Sequence, residues 1–320
     1  MVNVSGQSLD SLIHQQDLMV EKDWVFVLKV SFALATPIFF IYVNCIMLFT
    51  LYSKASFRET SRYILFAHML FNDSILLMTS VLLYILALAC QHIMRGLCVL
   101  LVLISGTTFI NSPLNLAVMA LERYIAICLP LRHCEISTPK RTGVVIGVIW
   151  VLSSLEYVSD LLAVLATQPS SFFLLPVYCT REMLFGMKWQ PVMRQVFDCL
   201  FFLLVSCIII YTYVAIMLQA RCVSSDKASV SKARNTVLLH GIQLLLCLSS
   251  FLYGVIEVML VRLERSSFIH MRYVSFMVLI ILPRCLSPLI YGLRDENFRK
   301  LFKYYFTFAS SKIKPLAGNA

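Results

Sequence analysis

The sequence predicts an all-α membrane protein, a bundle of seven transmembrane helices followed by a short amphipathic helix. Three observations carry that expectation. First, 59% of the 320 residues are hydrophobic and only 14% are charged, with a mean hydropathy of +0.82. A soluble domain carries about 25% charged residues, and no soluble core hides this much apolar surface, so the missing charge points to lipid as the solvent. Second, the apolar residues fall into seven runs, each near the roughly 20 residues that a helix needs to cross the hydrocarbon. Third, the runs are continuous, whereas barrel strands alternate strictly over about 10 residues.

Taken in order, the runs are Val25–Tyr52, Tyr63–Ala89, Leu97–Leu121, Thr142–Ala166, Val196–Ala220, Asn235–Val261 and Tyr273–Leu293. This divides the chain into a tail (1–24), a seven-helix domain (25–293) and a C-terminal amphipathic helix and tail (294–320). Residues 1–24 hold Asp10, Asp17, Glu21 and Asp23 and no apolar run. A cleaved signal peptide needs such a run, so the first span is expected to act as its own insertion signal. After the last span, Phe298, Leu301, Phe302 and Tyr305 recur at helical spacing, with Arg299, Lys300 and Lys303 on the other face. That pattern predicts a short helix lying on the anionic inner leaflet.

Lysine and arginine set the orientation. With the N-terminus outside, the segments on the inner side hold sixteen of them and those on the outer side eight; Lys29, Arg123 and Arg284 lie within or at the ends of spans. The excess places the C-terminus in the cytoplasm and accounts for the net charge of +10 without nucleic acid. Asn3-Val4-Ser5 fits a glycosylation sequon on an outer tail; Asn72-Asp73-Ser74 also matches but lies inside a span, where it is expected unmodified. No HExxH, GxSxG or phosphate-loop pattern occurs, so neither an enzyme nor a metal site is expected.

Ionisable groups inside spans are expensive in lipid and require a reason. They are Asp73 in the second run, Glu122 and Arg123 at the end of the third, Glu156 and Asp160 one turn apart in the fourth, Glu257 in the sixth and Arg284 in the seventh. For Glu156 and Asp160 a plain helix–helix contact is as good an account as a functional one.

The stretch Met119-Ala120-Leu121-Glu122-Arg123-Tyr124-Ile125-Ala126-Ile127-Cys128-Leu129-Pro130-Leu131-Arg132 decides the family. It resembles the end of the third helix in rhodopsin-like (class A) G-protein-coupled receptors, and more closely the "MAYDRYVAICxPLRY" box of odorant receptors. Other pieces are similar in order and spacing. Asn44, Asp73 and Trp150 match the family's first-, second- and fourth-helix residues. Lys232-Ala233 with Thr236 and His240 resembles "KAxxTxxxH" at the inner start of helix six, and Pro288–Arg294 resembles "PLIYSLRN". The likeness spans roughly residues 25–306 and looks closest to fish-type odorant receptors.

The resemblance implies a chemosensory receptor of the plasma membrane that binds a small-molecule odorant within its bundle and activates a heterotrimeric G protein. It implies a switch built from Glu122, Arg123, Tyr124, Tyr211, Lys232, His240, Pro288 and Tyr291. The chemistry of these residues agrees. A carboxylate beside Arg123 restrains it, and release frees a planar fork of five donors for carbonyls of the G protein. Pro288 has no backbone N–H, so helix seven bends there, giving a switch its bistable element.

The sequence departs from the family at several points. "NPxxY" reads Ser287-Pro288-Leu289-Ile290-Tyr291, Leu121 stands for the usual Tyr, and Glu122 for Asp. Asn44, Asp73, Ser112 and Ser287 make a candidate polar core with a sodium ion as candidate ligand, and the missing Asn weakens the case for the ion. Of the eleven cysteines, Cys98 and Cys179 fit the family's disulfide, with Cys90 as the competing partner. Cys128 and Cys222 are palmitoylation candidates, though free thiols account for them better. The resemblance places the ligand between helices three, five, six and seven, where Val102, Ser105, Gly106 and Phe109 on helix three and Tyr253, Ile256 and Glu257 on helix six recur at helical spacing. Buried in a cavity, Glu257 would attract an amine; otherwise it pairs with Arg262 or Arg265.

Two rivals are a non-olfactory class A receptor and a secondary transporter using Asp73 and Glu257 as coupling carboxylates. The odd number of spans and the absence of matching halves weigh against the transporter. A light receptor would need a helix-seven lysine, and that helix holds only Arg284.

The threading predicts that a tag after Ala320 binds antibody only after permeabilisation, while a tag before Met1 binds on intact cells. Both tags on one side would require an even number of spans and end the receptor reading.

Overall fold

Helix one runs Trp24–Tyr52, helix two Ser61–Leu88, helix three Arg95–Cys128, helix four Pro139–Thr167 and helix five Gln190–Val223. In helix six the stretch Leu252–Leu260 is continuous. Helix seven is Arg265–Ser275, a π-helical turn over Phe276–Ile281, and Leu282–Arg294. Helix eight is Glu296–Phe306. Short helices occupy two connections, Ala55–Arg58 between helices one and two and Pro130–Ile136 between helices three and four. This computed structural model describes residues 24–89, 92–177, 179, 187, 189–223, 241–242, 245–246, 248–260 and 265–306. Among the described residues six helices are long and apolar enough to cross a membrane. With helix six they form the expected seven-helix bundle.

Several helices overrun their hydropathy boundaries, for local reasons. Helix three continues seven residues past Leu121, because helical hydrogen bonding does not stop where lipid does. It ends at Cys128, since Pro130 disfavours the α conformation at Leu129, which takes φ −129° and ψ 52°. Helix four starts at Pro139 instead of Thr142. Thr138 Oγ1 accepts from the Arg141 amide at 3.4 Å, and proline suits the first turn, where its missing N–H costs nothing. Helix five begins at Gln190, six residues before the expected Val196.

Leu28, Phe32, Phe39, Phe49, Met78, Val148, Leu162 and Leu203 are all exposed. Such an outer surface is stable only against lipid. Inside, one apolar cluster joins helices one, two, three and eight through Met47, Leu70, Met119 and Phe298, and a second joins helices three, four and five through Ile110, Tyr157 and Val205. A third, around Leu77, Ile281 and Cys285, fastens helix seven to helices one and two. Lys29 Nζ lies 2.5 Å from His270 Nδ1, and Tyr273 Oη donates to the Lys29 carbonyl at 3.1 Å, closing helix one on helix seven.

Helix eight docks more deeply than its expected position on a leaflet. Phe298 and Phe302 are buried, and Phe298 meets Phe66 edge to face at 5.5 Å. Gly292 makes room, for a Cβ there would lie 3.0 Å from Phe298 Cε1 and 3.3 Å from both Met47 and Phe66. Gly106 serves the same purpose between helices three and four. A Cβ on it would fall 2.0 Å from Tyr157 Cζ, and Tyr157 is itself buried.

Gly106→Ala is therefore expected to cost about 1–3 kcal/mol through overpacking. In the purified protein the thermal midpoint falls, and adding Tyr157→Leu recovers part of the loss. An unchanged midpoint for Gly106→Ala would contradict the close approach of the two helices.

Candidate functional site

Three polar layers lie along the bundle. At the end bearing helix eight, helix three presents Glu122, Arg123 and Tyr124. Glu122 is buried, and its Oε1 lies 3.2 Å from His133 Nε2 on the short helix that follows. Tyr124 Oη meets Tyr211 Oη of helix five at 3.3 Å, with ring centroids 5.5 Å apart. The acid that precedes Arg123 is thus gripped by a histidine, and Tyr211 is engaged with Tyr124. Sequence reasoning passed over His133, which stands at the position of the last Tyr in the family's box.

Beside this layer a latch closes helix eight. Asp295, at the corner between helices seven and eight, accepts on Oδ1 from the amides of Asn297 and Phe298, both at 3.1 Å, and so caps helix eight. Its Oδ2 accepts from Tyr63 Oη at 2.8 Å and pairs with Arg62 at the start of helix two. Burial alone would raise this carboxyl's pKa. The Phe298 amide, the Tyr63 hydroxyl, Arg62 and the Asn297 amide outweigh it and hold Asp295 below its ordinary value. A D-x-x-F pattern after the last span was the signal available for this cap.

The middle layer is a buried polar network. Asn72 Nδ2 donates to the Thr108 carbonyl at 2.9 Å and to Ser112 Oγ at 2.8 Å; Ser112 Oγ donates to Asp73 Oδ1 at 2.7 Å. Arg284 Nε lies 4.0 Å from the same Asp73 oxygen, with both side chains 2% exposed. Asn44 donates to Ser74 Oγ at 3.2 Å, so it braces the residue next to Asp73. Ser287 is buried, and its hydroxyl has no hydrogen-bond partner among the described residues. One turn further along, Trp150 Nε1 donates to His68 Nε2 at 2.9 Å, and His68 Nδ1 lies 3.1 Å from Asn115 Oδ1. An indole only donates and an amide oxygen only accepts, so both contacts fit a neutral His68 carrying its proton on Nδ1. His68 and Asn115 were not singled out in the sequence, though they hold Trp150, which was.

Helix seven carries its own irregularity. The π-helical turn ends against Pro283, which has no N–H to return to the Leu279 carbonyl. Ser250 Oγ of helix six donates to that carbonyl at 2.6 Å. The structure places the break about two turns before Pro288, where the sequence pointed to a bend.

At the opposite end, Cys98 and Cys179 form a disulfide with a Cα–Cα distance of 5.3 Å. Around it Ile93–Met94 pairs antiparallel with Pro176–Val177, and Val102 packs with Cys98, Val99 and Val177. Phe109 meets Phe251 edge to face at 5.9 Å, and Tyr253 packs against the cluster at helix seven. Ser105 and Ile256 are half-buried. Gly106 of helix three packs against helix four, where Tyr157 fills the space a side chain would take. Asp160 accepts from Gln190 Nε2 at 3.1 Å and ties helix four to the start of helix five. Among the described residues no group of three or more His, Cys, Asp or Glu side chains is placed to hold a metal ion.

Lys232, His240, Cys90 and Asn3 lie outside the described residues, as do the side chains of Glu257 and Tyr291.

A family model described as the seven-transmembrane receptor (rhodopsin family) matches residues 43–291. The chain belongs to that family. This receptor is 38% identical over 274 residues to odorant receptor 131-2 of Danio rerio, covering 83% of this chain and 82% of the relative. It is 30% identical over 201 residues to olfactory receptor 2M2 of Homo sapiens, covering 58% and 54% of the two chains. To human olfactory receptor 11H7 it is 24% identical over 196 residues, covering 60% and 61%. The receptor is not an enzyme.

Asp295→Ala is expected to cost about 1 kcal/mol from the lost cap alone. The sign of the pH dependence follows from the depressed value. The stability that the charge contributes is complete above the pH, about 4, where the unfolded carboxyl ionises, and it is lost as pH falls through the lower folded value. Thermal midpoints measured from pH 6 to pH 3, about the usable range for a carboxylate, should fall further for the wild type than for Asp295→Asn. Parallel curves would remove the latch.

Proposed function

We propose that this chain is an odorant receptor of the plasma membrane, with its N-terminus extracellular and its C-terminus cytoplasmic. It takes a small-molecule odorant between its helices and activates a heterotrimeric G protein at the end that carries helix eight. The observation that carries this reading is the 38% identity to a zebrafish odorant receptor across 82% of that protein's length. The excess of Lys and Arg on the segments at the helix-eight end supports the orientation.

The site supports a division of labour. Val102, Ser105, Gly106, Phe109, Tyr253, Ile256 and Glu257 are the candidate ligand residues, lying on the disulfide side of the polar core. Glu122, Arg123, Tyr124 and Tyr211 form the coupling face. His133 keeps Glu122 in place at 3.2 Å while Arg123 stays beside it. In the active state Arg123 turns to the G protein, where its planar fork takes up carbonyls that a lysine's point charge does not match.

The test is basal and odorant-evoked cAMP at matched surface expression, with an odorant panel supplying the agonist. Arg123→Lys is expected to lose about tenfold or more of the evoked response, the equivalent of one charged hydrogen bond. Glu122→Gln is expected to raise the basal signal. An Arg that merely snorkels to the headgroups tolerates Lys, because only charge matters there. Full activity of Arg123→Lys together with an unchanged basal signal in Glu122→Gln would remove the switch assignment. A panel that evokes uptake of the compound and no G-protein response would replace the receptor with a transporter.

A further inference from the structure

We infer that Arg284 is a tethered cation: its guanidinium supplies the positive charge that the polar core needs, and the Asp73 site of this receptor takes no sodium ion. The core residues Asn44, Asp73, Ser112 and Ser287 would make a sodium ion a reasonable ligand, but a cation of the chain itself already stands beside the carboxylate. Arg284 Nε stands 4.0 Å from Asp73 Oδ1, and the two side chains are equally buried. The same guanidinium donates through Nη2 to the Phe109 carbonyl of helix three at 3.4 Å and lies 5.5 Å from the Phe109 ring centroid.

The donor set points the same way. Ser112 Oγ already gives its proton to Asp73 and receives one from Asn72 Nδ2, so one lone pair is left for any other partner. Asn44 gives its Nδ2 to Ser74, while its Oδ1 and Ser287 Oγ have no hydrogen-bond partner among the described residues. A hard alkali ion, bound through oxygens alone, would have to sit within a few ångströms of a permanently charged guanidinium. In a medium of low dielectric the repulsion between them is large. Asp73 needs one cation to be tolerated at this depth, and it has one from the chain itself.

Arg284 also has a positioning role. It is next to Pro283 and one turn before Ser287, so the ion pair fastens the irregular stretch of helix seven to helix two, with helix three as the third wall. None of this depends on which ligand the receptor binds or whether it couples to a G protein, and the test reads neither.

The experiment is thermal unfolding of the purified full-length receptor in detergent, in NaCl or KCl at the same concentration, about 0.15 M so that screening is equal. The wild type is expected to unfold at the same temperature in both salts. Arg284→Ala, which leaves Asp73 beside a vacated space, is expected to unfold lower in KCl and to recover by several degrees in NaCl, as mass action requires of an ion that binds only the folded state. Asp73→Asn/Arg284→Gln, with both charges removed, is expected to be indifferent to the choice of salt. A sodium-selective rise in the wild type overturns the proposal, as does a folded Arg284→Ala that behaves identically in both salts. Should Arg284→Ala fail to fold in either salt, the neutral double variant must restore surface expression, and its failure to do so overturns the pairing.

Discussion

Hydrocarbon does not hydrogen-bond, and nearly every feature of this molecule follows from that constraint. Backbone groups have to be satisfied within each span, so the spans are helices. Side chains that carry charge or hydrogen-bonding capacity have to find one another across helix boundaries, so they collect in the interior. Asp73, Ser112, Asn72 and Arg284 do so between helices two, three and seven; His68, Trp150 and Asn115 do so between helices two, three and four; Asp160 and Gln190 join helices four and five. The outer surface is left apolar. The polar contacts therefore fix the register of the bundle, and apolar packing fills the space between them. Lipid attracts a leucine as well as a neighbouring helix does, so apolar contacts alone would discriminate poorly between alternative helix phases.

The two ends differ in kind. The end with the disulfide is covalently closed, with a two-residue strand pair and the Cys98–Cys179 bridge over Val102. The end with helix eight is held by charge and by aromatic rings. Asp295 grips helix two and caps helix eight, Glu122 leans on His133, and Phe298 seats in a pocket opened by Gly292. Contacts of the second kind are non-covalent and can exchange one by one, unlike a disulfide. A receptor needs this asymmetry, with one rigid end for recognition and one whose bonds can be traded.

The spans, their number and the box at the end of helix three were legible because lipid solvation acts on residue type and leaves a mark in composition. Helix ends were read less well. Hydropathy falls at Leu121, but the helix stops only where Pro130 forces it to; Thr138 and Pro139 start helix four before its apolar run begins. Caps and prolines set these limits, and an apolar window does not register them. The cost of charge in lipid marked both Asp73 and Arg284, but nothing in the sequence paired them, because they lie some two hundred positions apart in the chain. Helical spacing put Gly106 on one face of helix three but did not name the neighbour that covers it, which is Tyr157 of helix four.

The serine that serves helix seven from helix six has a mechanical consequence. Pro283 leaves the Leu279 carbonyl without its usual donor, and Ser250 takes its place at 2.6 Å. A helix normally stores its hydrogen bonds internally and slides past its neighbours as a smooth rod. Here one rung of helix seven is completed by another helix, which removes a degree of freedom between the two. They can tilt together as a single lever about that point. To shear or rotate against one another they must first leave a carbonyl bare in hydrocarbon. A displacement of helix six at this level therefore either carries along the helix that bears Pro288 and Tyr291 or breaks this bond at one known oxygen atom.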